Sequence, residues 1–353
     1  MTDVAERSEG QERRTREIKP PGPDASRPAK WRWAVTTGNP PPGPVDAVTR
    51  WLILTRASVF PMTLTAAILG GLLAWWNAGD ASWMWWLVAS VGIVLAHAAN
   101  NLMNDLFDLE VGADSDEYPR ALYAPHPVLS GMITRKRLLL SALFVNVLDL
   151  AILVVLFFAV GWPVVAFALS GLFLSVAYTA PPFRLKKIGL GEPTVLIVWG
   201  PLMVGGVYYA AADSIGWDIV LASIPYALLC TAVLMGKHID KAPWDAPAGT
   251  HTLPVLLGDR TARITTQAMM IAFYPLVVVL VVLDLVPILT LVSLLGIQKL
   301  VPTMRAFSRP KPAEPPPGFP VWPLWFAPIA FLHARRAGGL FVLGMFAGVL
   351  LNF

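Results

Sequence analysis

Long apolar stretches repeat along most of the chain and are separated by short polar connections. Each stretch runs for roughly 17–25 residues, the length that an α-helix needs to cross the hydrocarbon core of a bilayer. The pattern predicts an all-α, polytopic membrane bundle of about nine transmembrane helices around a central cavity. The predicted spans cover residues 56–76, 83–105, 138–160, 163–180, 191–211, 218–238, 263–283, 286–301 and 332–352.

The segments outside the main bundle differ in composition. The first 50 residues are rich in proline and in charges of both signs. Such a segment cannot bury enough apolar surface to offset the entropy lost on ordering. We therefore expect a disordered tail over 1–50, a helical bundle over 51–301, a proline-rich basic connection with an interfacial segment over 302–331, and a final helix over 332–353.

The composition agrees with a membrane protein. Hydrophobic residues make up 56% of the 353 residues and charged residues 14%, against about 25% charged residues in a typical soluble domain. This deficit excludes an ordinary soluble enzyme and a disordered chain. The single cysteine, Cys230, excludes a disulfide framework and any multi-cysteine metal site.

Basic residues are confined to alternate connections. The connections at 77–82, 161–162, 212–217 and 284–285 contain no Lys or Arg. Those between them carry Arg120, Arg135, Lys136, Arg137, Arg184, Lys186, Lys187, Lys237, Lys241, Arg260, Arg305, Arg309 and Lys311. Because basic loops remain in the cytoplasm, we expect a multi-pass plasma-membrane protein whose N-terminus and chemistry lie on the cytoplasmic side.

The second predicted span ends in a row of oxygen-bearing side chains. At about 100° per residue, several of these side chains fall on one helix face. That face carries His97, Asn101, Asn104 and Asp108, with Asp105 beside it and Asp114 in the following connection. Clusters of oxygen ligands suit Mg²⁺, which keeps several waters and bridges to substrate phosphates. The histidine fits a packing role equally well.

A second acidic cluster closes the sixth span, on the same predicted side of the membrane. Asp240 and Asp245 lie there beside Lys237 and Lys241. Two such clusters facing each other would form a site for a magnesium diphosphate, in which carboxylates hold the metal and basic residues neutralise the remaining phosphate oxygens. Either cluster alone could be a solvated loop cap, but their matching positions favour the site.

Two stretches of sequence carry a family resemblance. Asn-Asp-Leu-Phe-Asp-Leu-Glu-Val-Gly-Ala-Asp at 104–114 resembles the first aspartate-rich motif of the UbiA-superfamily membrane prenyltransferases, and is most similar to their dihydroxynaphthoate polyprenyltransferase branch of menaquinone synthesis. Tyr-Thr-Ala-Pro-Pro-Phe-Arg-Leu-Lys at 178–186 resembles the loop between the fourth and fifth spans of that branch. The resemblance, with weaker matches that include Arg56, extends over about 51–290.

The resemblance implies transfer of a prenyl group from a prenyl diphosphate to an acceptor, usually an aromatic ring, with Mg²⁺ as cofactor. It implies catalytic roles for Asp105, Asp108, Tyr178, Asp240 and Asp245. The implied diphosphate-binding residues are Arg120, Arg184, Lys186, Lys237 and Lys241. The implied metal ligands are Asn104, Asp105, Asp108, Asp114, Asp240 and Asp245. The base that serves the acceptor is unassigned, with His238 as a candidate.

The second cluster departs from the pattern of that branch. Lys237 and His238 stand where a pair of asparagines is usual, and its aspartates are five residues apart rather than four. The departures leave open a non-quinone aromatic acceptor, a glycerol or sugar phosphate, or cyclisation of the prenyl chain. Intramembrane acidic residues alone also fit a non-catalytic transporter or lipid-binding protein, and the tail fits a membrane-anchored scaffold. We expect the lipid bilayer, and no nucleic acid, as a partner.

Overall fold

The computed structural model describes residues 20–110, 126–316, 319 and 321–352, with the backbone alone described at 108 and 110. All the regular structure in these ranges is helical. The α-helices are α1 Arg27–Thr37, α2 Ala47–Leu54, α3 Phe60–Ala78, α4 Trp83–Glu110, α5 Arg135–Val160, α6 Pro163–Thr179, α7 Gly191–Ile197, α8 Met203–Ala212, α9 Trp217–Asp245, α10 Leu253–Leu257, α11 Asp259–Val282, α12 Ile297–Phe307 and α13 Phe326–Leu351.

Eight helical segments in the described ranges are long and apolar enough to cross a membrane. They are Ala57–Ala78, Trp83–Phe107, Arg135–Val160, Gly191–Ala212, Trp217–Asp245, Asp259–Val282, Ile288–Phe307 and Phe326–Leu351. A ninth apolar helix, α6, has 17 residues. The expectation of an all-α membrane bundle with about nine helices is confirmed, and the chain is a multi-pass membrane protein.

Connections without Lys or Arg and basic connections lie at opposite ends of the bundle. The backbone N–H of Ser82, in the turn between α3 and α4, bonds to the carbonyl of Ala211 at the end of α8, at 2.8 Å. At the other end, the N–H of His251 bonds to the carbonyl of Lys187 at 3.0 Å, which joins two basic connections. These basic connections are therefore gathered at one end.

The core is centred on α9, which packs against α11 and α13. Leu229, Met235, Phe273 and Phe341 from these three helices are fully buried. Helix α5 lies at the periphery, and it exposes large apolar side chains such as Phe144. An apolar surface of this extent is stable only when lipid covers it, which agrees with the membrane assignment.

The fifth span is interrupted near its middle. Pro201 has no backbone N–H, so the regular i→i−4 hydrogen bonding cannot continue through it. The chain forms a π-helical turn over Val198–Leu202 between α7 and α8. Such turns are frequent at functional sites, and this one carries Trp199.

The N-terminal segment differs from the sequence expectation. Within the stretch 1–50 expected to be disordered, the described part contains α1 and the first half of α2. The carboxylate of Asp46 caps α2 by accepting the backbone N–H groups of Val48 at 3.0 Å and Thr49 at 3.1 Å. It also accepts the indole N–H of Trp31 at 3.1 Å. Local capping and one long-range hydrogen bond thus stabilise helices that the composition of the segment does not predict.

Candidate functional site

The end of α4 is tied to the segment that precedes α3. The guanidinium of Arg56 donates a hydrogen bond to the carboxylate of Asp105, which is 1% exposed. One turn earlier, the side-chain amide of Asn101 donates to the carbonyl of Thr55 at 2.9 Å. Arg56 has a left-handed backbone with φ of 53°, uncommon for a residue other than glycine. These contacts fix a buried carboxylate at the polar end of the bundle.

A second row of α4 side chains faces α6. The hydroxyl of Ser175 donates to Oδ1 of Asn100 at 2.7 Å, and the hydroxyl of Thr179 donates to Oδ1 of Asn104 at 2.6 Å. Two polar rows therefore diverge along α4. The row with Asn101 and Asp105 faces the segment before α3, whereas the face predicted from the sequence had joined Asn101 to Asn104.

His126 joins the end of α4 to the chain that follows the first cluster. Its Nδ1 accepts the backbone N–H of Val128 at 3.2 Å, so the proton of the neutral ring is on Nε2. That Nε2 donates to the carbonyl oxygen of Asp105 at 2.9 Å. The polypeptide thus returns to Asp105 within the connection between α4 and α5.

The structure places only part of the first predicted cluster. Asn104 and Asp105 both lie near the end of α4, one on each of the two diverging rows. Asp114 and Arg120, and the side chain of Asp108, are outside the described residues. No group of three His, Cys, Asp or Glu side chains that could hold a metal occurs in the described ranges. An amide oxygen and a carboxylate nevertheless agree with the donor preference of Mg²⁺.

Asp240 in the second cluster caps the last helix. Its Oδ2 accepts the N–H groups of Trp325 at 2.8 Å and Ala327 at 2.9 Å, and its Oδ1 accepts that of Phe326 at 3.0 Å. A carboxylate in this position satisfies the first N–H groups of a helix and interacts favourably with its dipole. This cap explains why α13 begins at Phe326, whereas the sequence had predicted a start at residue 332. Metal binding by Asp240 stays a prediction.

The proline-rich connection folds onto the same end of α9. The amine of Lys311 donates to the carbonyl of Pro323. It lies 4.7 Å from the ring centroid of Trp322 and 5.7 Å from that of Trp244, which is on α9. Burial lowers the pKa of Lys311, while the nearby Asp240 carboxylate acts in the opposite direction. The connection therefore forms a cap beside the second acidic cluster.

Asp245 is the last residue of α9 and is 2% exposed. Its backbone carbonyl accepts the N–H of Thr250 at 2.9 Å, which turns the chain back toward α10. Residues five apart on a helix are rotated by about 140°. Asp240 and Asp245 consequently lie on different faces of α9. Lys241 is also buried, and Lys237 lies one turn before it.

Tyr178, Arg184 and Lys186 lie in and around the connection between α6 and α7. The ring of Tyr178 packs so closely on Gly191 that a Cβ there would be 3.3 Å from Cε2 of the tyrosine. Arg184 has φ of 46° and precedes a 3₁₀ helix, Leu185–Ile188. Its Nε is buried and has no hydrogen-bond partner in the described part of the chain. The structure therefore brings these three predicted residues together at the basic end.

The sequence analysis missed a buried acidic partner for His238. Nδ1 of the histidine lies 2.7 Å from Oε1 of Glu192 in the first turn of α7. Both side chains are about 1% exposed. The sequence did contain a signal for this partner. An acidic residue at the start of an apolar span is rare unless it is paired, and Glu192 is such a residue.

In this protein, apolar spans bring acidic and basic side chains together at one end of the bundle. This arrangement defines a class of membrane-embedded proteins that have a polar site at the bilayer boundary. Residues 63–326 match the model of the UbiA prenyltransferase family, and the chain belongs to this family. The expectation that it is a transferase of prenyl groups is thereby confirmed.

Two relatives illustrate the similarity. The chain is 28% identical over 218 residues to 2-carboxy-1,4-naphthoquinone phytyltransferase from Synechocystis sp., covering 62% of this chain and 67% of the relative. It is 29% identical over 221 residues to 1,4-dihydroxy-2-naphthoate octaprenyltransferase from Haemophilus influenzae, covering 61% and 71%.

Two solved structures share the fold. A digeranylgeranylglyceryl phosphate synthase superposes with a TM-score of 0.54 at 16% identity, covering 86% of this chain and 99% of the other. A UbiA homolog from Archaeoglobus fulgidus bound to GPP and Mg²⁺ superposes with a TM-score of 0.53 at 17% identity, covering 83% and 99%. At these identities the comparison establishes the architecture alone.

Proposed function

We propose that this protein is a Mg²⁺-dependent prenyltransferase that moves a prenyl group from a prenyl diphosphate to a dihydroxynaphthoate-like aromatic acceptor and releases diphosphate. The observation that carries the proposal is the buried carboxylate of Asp105, held by Arg56 at the polar end of α4 in a chain of the UbiA family. Acceptors named for the relatives, a naphthoquinone and a dihydroxynaphthoate, support the acceptor class.

The metal would be held by oxygen ligands of the two clusters. The proposed ligands are Asn104, Asp105, Asp108, Asp114, Asp240 and Asp245. When bound, Mg²⁺ supplies positive charge that neutralises the departing diphosphate. Asp240 would contribute only by exchanging or sharing its three backbone hydrogen bonds. The first cluster is therefore the principal metal site in this proposal.

Basic side chains bind the remaining phosphate oxygens. We assign this role to Arg120, Arg184, Lys186, Lys237 and Lys241. The buried Nε of Arg184 supports its assignment, because a guanidinium N–H without a protein partner is available to an anion. Charge-assisted hydrogen bonds of this kind stabilise the leaving group as the carbon–oxygen bond breaks.

Helix packing would exclude water from the reacting carbon, and Tyr178 would stabilise the positive charge on it. The apolar bundle excludes water, which would otherwise capture the allylic cation. The face of an aromatic ring attracts positive charge, and Tyr178 lies against Gly191 at the start of the fifth span. The basic connections at one end support a cytoplasmic active site in the plasma membrane, with the N-terminus on the same side.

The decisive experiment measures diphosphate release by detergent-purified protein given geranyl diphosphate, Mg²⁺ and 1,4-dihydroxy-2-naphthoate. The Asp108→Ala variant should lose at least 100-fold in rate while it inserts and melts normally. Asp80→Ala, in the exposed turn between α3 and α4 at the end without Lys or Arg in its connections, is the matched control and should retain full activity. Full activity of the Asp108→Ala variant would contradict the assignment of Asp108 as a metal ligand.

The same assay separates the alternatives. Diphosphate release without any prenylated naphthoate, but with a prenylated glycerol phosphate or a cyclised prenyl product, would replace the proposed acceptor. A wild-type protein that binds prenyl diphosphate but never releases diphosphate would be a transporter or lipid-binding protein. Deletion of residues 1–44 should leave most of the transfer activity, whereas a scaffold would lose its function.

A further inference from the structure

A histidine in the membrane interior has no role in the site described above. His97 precedes Asp105 by two turns on α4, which places it about 12 Å deeper along the helix axis. Its Nδ1 lies 2.6 Å from the hydroxyl of Thr63 on α3. Its ring centroid is 5.5 Å from those of both Phe60 and Trp199. Two other segments of the chain, α3 and the interrupted fifth span, therefore contact this imidazole.

One side of this cluster is open. Phe60, His97 and Trp199 are each partly accessible, whereas Thr63 beside them is fully buried. Nε2 of His97 makes no hydrogen bond to any described residue. An unpaired polar atom in an apolar interior costs free energy, so pairing of Nε2 with a ligand that enters from the accessible side would be favourable. His126, by contrast, uses both of its ring nitrogens within the chain.

The interruption of the fifth span positions the ring of Trp199 beside His97. Trp199 belongs to the π-helical turn around Pro201, and its ring meets His97 edge to face at 88°. The ring of Phe60 is tilted by 57° against the same imidazole. Aromatic surfaces of this kind favour an aromatic ligand through offset and edge contacts.

The chemistry of the cluster selects between the two substrates. An isoprenoid chain has no hydrogen-bonding group and would leave Nε2 of His97 unpaired. A hydroxylated aromatic ring could pack on the accessible sides of Phe60 and Trp199 and bring a donor to that nitrogen. We infer that Phe60, Thr63, His97 and Trp199 form the binding site for the acceptor ring, in which His97 accepts a hydrogen bond from a ring hydroxyl.

Thr63 can set the required tautomer. A threonine hydroxyl either donates or accepts, so it can accept the Nδ1 proton of His97 and leave Nε2 as an acceptor. The hydrogen bond from the ring hydroxyl then increases the electron density of the acceptor ring, and with it the nucleophilicity of its carbons. The inference rests on the proposed function, and it places the acceptor on the membrane side of the diphosphate.

The test uses three variants of the full chain and a matched control. His97→Phe keeps an aromatic ring without nitrogen, His97→Gln keeps a hydrogen-bonding group, and Thr63→Val removes the partner of Nδ1. His333→Phe alters another histidine of the bundle, one that bonds to Tyr274 at 3.0 Å. Initial rates of prenylation are measured with 1,4-dihydroxy-2-naphthoate and geranyl diphosphate, each varied in turn.

His97→Phe should raise KM for the naphthoate about tenfold, the effect of losing one buried hydrogen bond, while KM for geranyl diphosphate changes less than twofold. His97→Gln should recover part of this loss, and Thr63→Val should show a smaller loss in the same constant. His333→Phe should leave both constants unchanged. A purely structural role for His97 would instead affect both substrates together, or thermal stability alone.

An unchanged naphthoate KM in natively melting His97→Phe and His97→Gln would overturn the inference and leave the proposed function intact. Wild-type transfer to a glycerol phosphate and not to the naphthoate would also overturn it, because that acceptor has no ring. Absence of any diphosphate release from wild-type protein would refute the proposed function itself, and this inference with it.

Discussion

Nδ1 of His238 and Oε1 of Glu192 lie 2.7 Å apart in a pair that is almost completely inaccessible. The pair joins α9 to the first turn of α7, directly after the basic connection that carries Lys186. It therefore fixes the position of two spans at the polar end of the bundle. Oε2 of Glu192 is buried without a hydrogen-bond partner in the described ranges, so the pair is sensitive to any change of either residue.

Replacement of His238 by Ala should destabilise the protein by about 3–5 kcal/mol, because it leaves the Glu192 carboxylate buried and unpaired. Thermal unfolding in detergent, followed by circular dichroism, measures the effect. The double variant Glu192→Gln/His238→Asn, which replaces the pair by two neutral amides, should recover most of the loss. Equal destabilisation by the single and double variants would show that the pair is not coupled.

Replacement of Asp240 by Ala should loosen the last helix. Three backbone N–H groups of α13 lose their acceptor, and a loss of about 2–4 kcal/mol is expected from charge-assisted hydrogen bonds. Faster proteolysis of the 308–325 connection measures the local effect.

Asp240→Asn keeps one acceptor oxygen and should be intermediate in stability. Mg²⁺ titrations of diphosphate release distinguish the two roles of Asp240. If Asp240→Asn requires a much higher Mg²⁺ concentration for half-maximal activity, Asp240 is also a metal ligand. An unchanged requirement assigns the residue to the helix cap alone.

The stability of the protein should depend on the charge of Lys311. Its pKa is lowered in the folded protein, so the unfolded chain binds this proton more tightly. Stability should therefore rise as pH increases from the lowered pKa of Lys311 toward the ordinary lysine value of about 10.4. Melting temperatures of wild type and Lys311→Met should converge over this range if the neutral amine is tolerated. A constant difference between them would contradict the burial effect.

The cap formed by Asp46 should control the N-terminal helices. Hydrogen bonds from the hydroxyl and backbone N–H of Thr49, with the indole of Trp31, hold the pKa of Asp46 well below its usual range. Asp46 therefore stabilises the fold above the unfolded pKa of about 3.9, and this contribution is lost as pH falls through the lower folded value. Asp46→Ala should cost about 1 kcal/mol and expose α1 to proteases. Asp24→Ala is a matched control that should do neither.

Hydropathy predicted the membrane-spanning architecture well. The predicted spans at 83–105 and 191–211 correspond to observed segments Trp83–Phe107 and Gly191–Ala212, because bilayer thickness imposes a length that the sequence displays directly. The start of α13 was harder to predict from the sequence. It depends on Asp240, which is 86 residues from Phe326 along the chain, and no local pattern reports such a contact.

The polar end of α4 was predictable from the sequence, and its contacts were less so. The motif around Asn104 and Asp105 marked this end. Helical periodicity alone placed His97, Asn101 and Asn104 on one face, whereas the observed hydrogen bonds divide them among α3, the segment before it, and α6. The partner of His238 also required the structure, since Glu192 lies on a different span.

The alternation of connections without Lys or Arg with basic connections has a topological consequence for the two ends of the described chain. If α6 crosses the bilayer together with the eight longer segments of the described ranges, the number of crossings is odd, and Ala47 at the start of α2 and Leu351 at the end of α13 are expected to face opposite aqueous compartments. Reporter domains fused beside these two positions should give opposite signals in the same cell. The pair of fusions would establish which aqueous compartment the basic end of the bundle faces.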